Sequence, residues 1–402
     1  MKSICNILYV IVTLLFTASN LEAKGTITYN DQRLLELKRA FLRNDEKVVA
    51  HINAIIESSE HYFSEKPLNI VSDKRRFAPS RDPRDYISLS RYWWPDPDSK
   101  DGLPYIRHDG ESNPELEEYD YRKITRLEST VTNLGMLYYI TGNERYAARA
   151  SQILNEWFLD PVTGMNPNMV YAQYVPGMTY LRGTGILDAR SIVYALNGAM
   201  LIEGSKFWSN TQKEALTGWV KAFLYWMHNS TQGGLERNAS NNHGLWYDII
   251  RMGLLYYIDD YPKVKEVIET SLCNRLDLQQ ENDGSFPHEL ARTLGLSYTA
   301  FALDAFYEAN EIALKVGIDL WSITTPKGKS IAKGVEFAYP FFLEPHKWVY
   351  QQISPFETDR GAMILYIAGL KLNKREYIEA AKKIGYTPKP SFKSLLYLDI
   401  NN

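Results

Sequence analysis

Residues 211–229 read TQKEALTGWVKAFLYWMHN, and Leu216, Val220, Phe223 and Leu224 within them recur at spacings of three and four. That period puts the apolar side chains on one face of an α-helix. Val264, Val267, Ile268 and Leu272 repeat the pattern further on. Working outward, helical periodicity predicts helices near 31–60, 122–141, 143–158, 190–207, 211–229, 243–259, 262–279, 297–315, 327–339, 356–371 and 374–384. No comparable series of segments alternating at period two is present. Most connections are short, but 76–118 and 160–188 are long, aromatic and rich in Gly, Pro, Asp and Asn, which makes them loops. Long structured loops in a compact domain tend to form lids or binding walls. The expected architecture is all-α: one large domain of helical hairpins that can stack as a bundle, a superhelix or a closed ring.

The N-terminus is set apart from this domain. Lys2 precedes an apolar run from Ile7 to Phe16, and Ala23 stands before Lys24. Residues 1–23 therefore read as a signal peptide, leaving residues 24–402 as a single catalytic domain. The apolar run is short for a membrane span, so no membrane association is expected after cleavage. Only Cys273 remains in that mature chain, so no internal disulfide can form; an exported protein without disulfides fits a bacterial periplasm.

A net charge of −3 argues against a general polyanion-binding surface and against nucleic acid as a partner. An acidic ligand would have to be met by cations placed locally. The seven histidines form no ligand spacing for a metal, and neither a phosphate loop nor a dinucleotide fingerprint is present, so no cofactor is implied. The 28 Tyr, 15 Phe and 9 Trp exceed what a core alone suggests and suit the flat C–H faces of sugars.

Two segments concentrate polar chemistry. Asn241-Asn242-His243-Gly244-Leu245-Trp246-Tyr247-Asp248 stands at a helix start, where one Asn is an ordinary cap but two followed by His are not. Asp283-Gly284-Ser285-Phe286-Pro287-His288-Glu289-Leu290-Ala291-Arg292 follows, with Tyr298 opening the next helix. These motifs, with Arg91-Tyr92-Trp93-Trp94-Pro95-Asp96-Pro97 and Gly102-Leu103-Pro104-Tyr105-Ile106-Arg107, resemble the alginate lyase family. The likeness is strongest to polysaccharide lyase family 38, acting on polymannuronate and polyglucuronate, and weaker to family 5. It implies an α/α toroid, an incomplete double ring of helical hairpins with long loops over a cleft. It also implies β-elimination on a uronate polymer, an acidic polysaccharide. By the same resemblance Asn242 and His243 match the family's Asn-His pair, Arg292 its arginine and Tyr298 its catalytic tyrosine. The Arg292-to-Tyr298 spacing is one residue shorter than in family 5.

The chemistry explains those residue types. The C5 proton of a uronate is weakly acidic while the adjacent carboxylate is charged, so the site must neutralise that carboxylate with amide, imidazole and guanidinium donors. Tyr298 can then serve as base and acid on one face of the sugar if nearby positive charge lowers its pKa; His243 is the alternative base. Glu236 and Glu289 are placed to orient His243 or Arg292, or to make surface pairs. Trp93, Trp94 and Tyr105 are candidates for sugar stacking or loop anchoring, Arg107 for a neighbouring carboxylate, and Gln173, Arg182 and Asn241 for the cleft wall. Two rival readings stay open at this point: a glycoside hydrolase using Asp248 and Glu289, and a non-catalytic glycan-binding protein.

Overall fold

The computed structural model describes residues 25–385 together with Leu396, so the expected signal peptide lies outside the described residues. Five helices form an inner layer: α3 (Tyr121–Thr141), α5 (Arg190–Leu201), α8 (Asn242–Tyr257), α12 (Gly295–Leu314) and α14 (Thr358–Leu372). Each packs against the next in that order. Around them lie α1 (Asp31–Leu42) and α2 (Glu46–Ser59) on α3, and α4 (Glu144–Leu154) on α3 and α5. The outer layer continues with α6 (Asn210–Asn229), α7 (Thr231–Arg237) and α9 (Tyr261–Val267) on α8, and α10 (Cys273–Gln279) follows α9 in the chain. It closes with α13 (Ile331–Leu343) and α15 (Arg375–Lys383) on α14. This is an incomplete α/α toroid.

Composition sorts the two layers. In α5, Ile192, Val193, Ala195, Leu196, Ala199, Met200 and Leu201 are all buried, leaving no polar face, and α8 is buried along nearly its whole length. A helix apolar all round belongs inside. The outer α4 buries only Tyr146, Ala147, Ala150, Ser151, Ile153 and Leu154. Where α3 crosses α5, a Cβ at Gly135 would stand 2.9 Å from the Gly198 Cα, and one at Gly198 would stand 2.4 Å from the Val131 carbonyl oxygen. The two backbones touch there because neither position carries a side chain. The N-terminal segment is tied across the ring by Asn197 of α5, whose Oδ1 accepts from the Ile27 and Thr28 backbone amides at 2.7 and 3.2 Å.

Local signals fix the element ends. Ser209 and Gln212 form a capping box at the start of α6, and Gly142 ends α3 in the left-handed conformation. The expected helix 31–60 is two helices, because Asn44 turns the chain at φ 58° and Asp45 caps the second. The expected helix 190–207 ends at Leu201, before the turn at Gly204 (φ 92°).

The two long loops are joined at one end of the ring. β1 (Ile87–Leu89) in the first pairs in parallel with β4 (Tyr171–Tyr174) in the second, while β2 (Trp93–Trp94) pairs antiparallel with β3 (Ile106–Arg107). Tyr86 and Ser88 hydroxyls both donate to the buried Asp188 carboxylate, at 2.9 and 2.6 Å, locking the loops together. They stand over the ends of α5, α8 and α12, and so build a cleft there.

Candidate active site

The cleft encloses about 730 Å³ between the loops and the inner helices. Six guanidinium groups line it: Arg91, Arg107, Arg182, Arg190, Arg292 and Arg360. Against a chain charge of −3, this is the local concentration of cations that an acidic ligand requires.

Tyr298 occupies the first turns of α12, and its hydroxyl accepts from Arg292 Nη2 at 2.8 Å and donates to the Tyr92 hydroxyl at 2.9 Å. The Arg292 guanidinium also lies 3.8 Å from the centre of the Tyr298 ring. Asp109, two residues after β3, fixes that guanidinium as well, with Nε at 3.0 Å and Nη2 at 2.6 Å. Arg107 reaches the same carboxylate at 2.6 Å. Burial works against the Asp109 charge, but the hydrogen bonds and charges of Arg292 and Arg107 win and hold its carboxyl far below the usual range. The Arg292 charge is reinforced in turn.

The Tyr298 proton behaves differently from the sequence expectation. Burial raises its pKa well above the ordinary phenol value, and the opposing field of Arg292 does not compensate. Asp109 and Tyr92 add to the rise. The physical reason is burial: removing the phenolate from water costs more than the field of Arg292 returns. Tyr298 is a neutral phenol in the free site.

His243 lines the cleft in the first turn of α8, and its Nδ1 lies 2.7 Å from Glu236 Oε1 of α7. Glu236 is buried, and its carboxylate orients the ring through a proton on Nδ1, so Nε2 is the nitrogen available to a substrate. Asn241 caps α8 through the His243 backbone amide at 3.2 Å. Asn242 is fully buried; its backbone N and its Nδ2 both donate to Glu289, each at 2.7 Å. Glu289 belongs to the short α11 (Pro287–Leu290) and thus holds Asn242 rather than Arg292, with burial raising its pKa.

Of the other sequence candidates, Trp93 lines the cleft with the Arg182 guanidinium 5.2 Å from its ring centre, and Arg182 donates to Ser90 at 2.8 Å. Burial pulls the Arg182 pKa down. Gln173 lines the cleft in a left-handed backbone conformation, φ 48°, the kind of strain found at functional positions. Trp94 and Tyr105 do not line it: Trp94 donates to the Glu111 carbonyl at 3.0 Å, and the Tyr105 hydroxyl to Glu115 at 2.7 Å. Both anchor the loop. The carboxylates of the hydrolase alternative are likewise absent from the cleft lining. Asp248 is buried in an ion pair with Arg275, and Glu289 stands behind Asn242.

Sequence reasoning did not single out Asp109, Tyr92, Arg190 or Arg360 as site residues. Tyr92 and Asp109 lie in the long loop read as a binding wall, but nothing in the sequence joins Asp109 to an arginine 183 positions later. Arg190 and Arg360 flank Phe301, one turn beyond Tyr298, with ring-centre distances of 5.0 and 5.3 Å.

This architecture has known counterparts. The alginate lyase family profile matches residues 70–348. The chain belongs to the alginate lyase family. An alginate lyase from Bacteroides ovatus of known crystal structure shares 32% identity over 93% of this chain and 99% of its own, with a TM-score of 0.88. Alginate lyase A1-III from Sphingomonas species A1 shares the fold at 17% identity and a TM-score of 0.59, over 92% of this chain and 96% of its own. A variant of A1-III solved with a tetrasaccharide aligns at 18% identity and a TM-score of 0.56, over 82% of this chain and 87% of its own. A search among curated proteins found no match. As a member of the alginate lyase family, the protein is a polysaccharide lyase.

Proposed function

We propose that this lyase cleaves β-1,4-linked uronate polymers, polymannuronate or glucuronan, by β-elimination. The observation that carries this reading is the Tyr298 hydroxyl held 2.8 Å from Arg292 inside an arginine-lined cleft. A-tetrasaccharide-bound relative of the same fold is consistent with an extended sugar chain as ligand. In the reaction the C5–H bond breaks, its electron pair forms the C4=C5 double bond, the C4–O4 bond breaks, and O4 takes up a proton. Arg292, Asn242 and His243 are assigned to the uronate carboxylate, and Tyr298 delivers the proton to O4. For a sugar with H5 and O4 on the same face, Tyr298 also removes the C5 proton, which requires its phenol to ionise after the substrate enters.

A second assignment of the base has its own support. His243 has Nδ1 engaged by Glu236, so in the neutral ring Nε2 is the nitrogen that can take a proton, and burial keeps Tyr298 in its acid form. His243 is then the base for the opposite C5 configuration, with Tyr298 keeping the acid step.

The test is ultraviolet absorbance during incubation with polymannuronate, polyguluronate and polyglucuronate, alongside Tyr298→Phe. We expect absorbance from a conjugated unsaturated uronate to rise with the native protein, and to fall by at least about a thousandfold in rate in the variant. New reducing ends without absorbance, or undiminished activity in Tyr298→Phe, would overturn the assignment.

A further inference from the structure

Asn242 carries a feature that the carboxylate-binding role does not explain. Its side chain is fully buried at the edge of the cleft, and its Oδ1 has no hydrogen-bond partner among the described residues. Buried acceptors are rarely left alone, and those that are tend to mark function. The orphan arises because Glu289 accepts both Asn242 donors: Oε1 from the backbone N and Oε2 from Nδ2, each at 2.7 Å. An ionised carboxylate has only acceptors, so it orients the planar amide with nitrogen inward and oxygen away. In that orientation the amide turns its acceptor, rather than its paired donors, away from Glu289. An arriving uronate carboxylate also has only acceptors, and two acceptors repel.

We propose that Glu289 takes up one proton from solvent when the substrate binds, and that the Asn242 amide turns over in response. Neutral Glu289 then donates from Oε2 to Asn242 Oδ1, while Oε1 keeps the backbone N–H. The NH₂ group comes to the place Oδ1 held and donates to the uronate carboxylate. Every polar group of the pair is satisfied in this bound state, and the only covalent change is the new O–H on Glu289, its proton given up by a solvent or buffer acid. The groups around Glu289 set its readiness. Burial favours the neutral acid, whereas the Asn242 hydrogen bonds and the charges of Arg292 and His243 favour the anion. A uronate carboxylate would offset the Arg292 charge on arrival and tip Glu289 toward protonation. Glu289 is thus a positioning residue acting through Asn242, and the inference rests on the lyase reading above.

The measurement is calorimetric binding of an oligouronate to Tyr298→Phe, which prevents turnover, in buffers of differing ionisation enthalpy. Net uptake of up to about one proton is expected between the Glu289 pKa of the free site and the higher one of the bound site, and about none once Glu289→Gln is added. In the active background, KM should rise by up to about tenfold per pH unit between those two pKa values, and the Glu289→Gln single variant should lose this slope. Its activity should stay within a few-fold of native at low pH, because Gln can donate to Oδ1 and accept from the backbone N. Glu289→Ala should lose far more. Binding without proton uptake, or uptake undiminished by Glu289→Gln, would overturn the proposal while native absorbance still certified the lyase. Should Glu289→Gln fail to fold, the uptake measured on Tyr298→Phe alone decides. A protein that produces no unsaturated uronate from any polymer would instead overturn the lyase reading.

Discussion

The Tyr298 hydroxyl stands between groups that pull its proton in opposite directions. Arg292 favours the phenolate, while burial, Tyr92 and the Asp109 carboxylate favour the phenol, and the second set prevails. Asp109 therefore has two effects: it fixes the Arg292 guanidinium by two hydrogen bonds, and its charge opposes that of the guanidinium at the phenol. Asp109→Asn should keep the loop contact to Thr293, whose Oγ1 bonds the Asp109 backbone carbonyl at 2.8 Å, while removing the negative charge. The sign is then determined. The Tyr298 pKa is raised in the native site, and deleting a neighbouring anion must lower it. If the phenolate is the base, kcat/KM rises with pH as Tyr298 ionises, and that limb should move to lower pH in Asp109→Asn. A pH–rate profile on polymannuronate checks this; an unmoved limb would count against Tyr298 as the base.

At the scale of elements, the site depends on where helices begin. His243 and Asn242 open α8, and Tyr298 lies in the first turns of α12, so each side chain projects from a rigid end toward the loops. The inner layer that aligns those ends is set by close crossings such as α3 on α5. Gly198→Ala would drive a methyl to 2.4 Å from the Val131 carbonyl oxygen, a backbone atom that cannot swing away. We expect a loss of about 1–3 kcal/mol in unfolding free energy, the usual cost of overpacking, measured by urea denaturation with native activity per folded molecule largely kept. An unchanged midpoint would mean that the two helices separate more easily than the crossing suggests.

For the molecule as a whole, charge is distributed unevenly. A chain of net charge −3 gathers six arginines around one cleft, so attraction to a polyanion is local to the site. Raising salt from about 0.1 M to about 1 M shortens the screening length from about 10 Å to about 3 Å. KM for a uronate polymer should then climb with ionic strength while kcat changes little; a KM insensitive to salt would remove long-range attraction from the account. Two loops from distant parts of the chain supply much of this wall, and β1–β4 pairing with the Asp188 contacts holds them as one.

By itself the sequence determined the helical class, since a period of three to four residues in segments such as 211–229 is compatible with little else. It also marked the polar segments around Asn242–His243 and Glu289–Tyr298, because helix starts and Asp-Gly-Pro turns are written in neighbouring residues. What it could not carry was pairing across distance. Asp109 meets Arg292, Glu289 meets Asn242 rather than Arg292, and Trp94 and Tyr105 anchor a loop instead of facing sugar. The sign of the Tyr298 shift belongs to the same class. It depends on burial outweighing the field of Arg292, and that burial exists only once the loops have closed over the ring. Local order follows from local spacing; electrostatics follows from which groups the fold brings together.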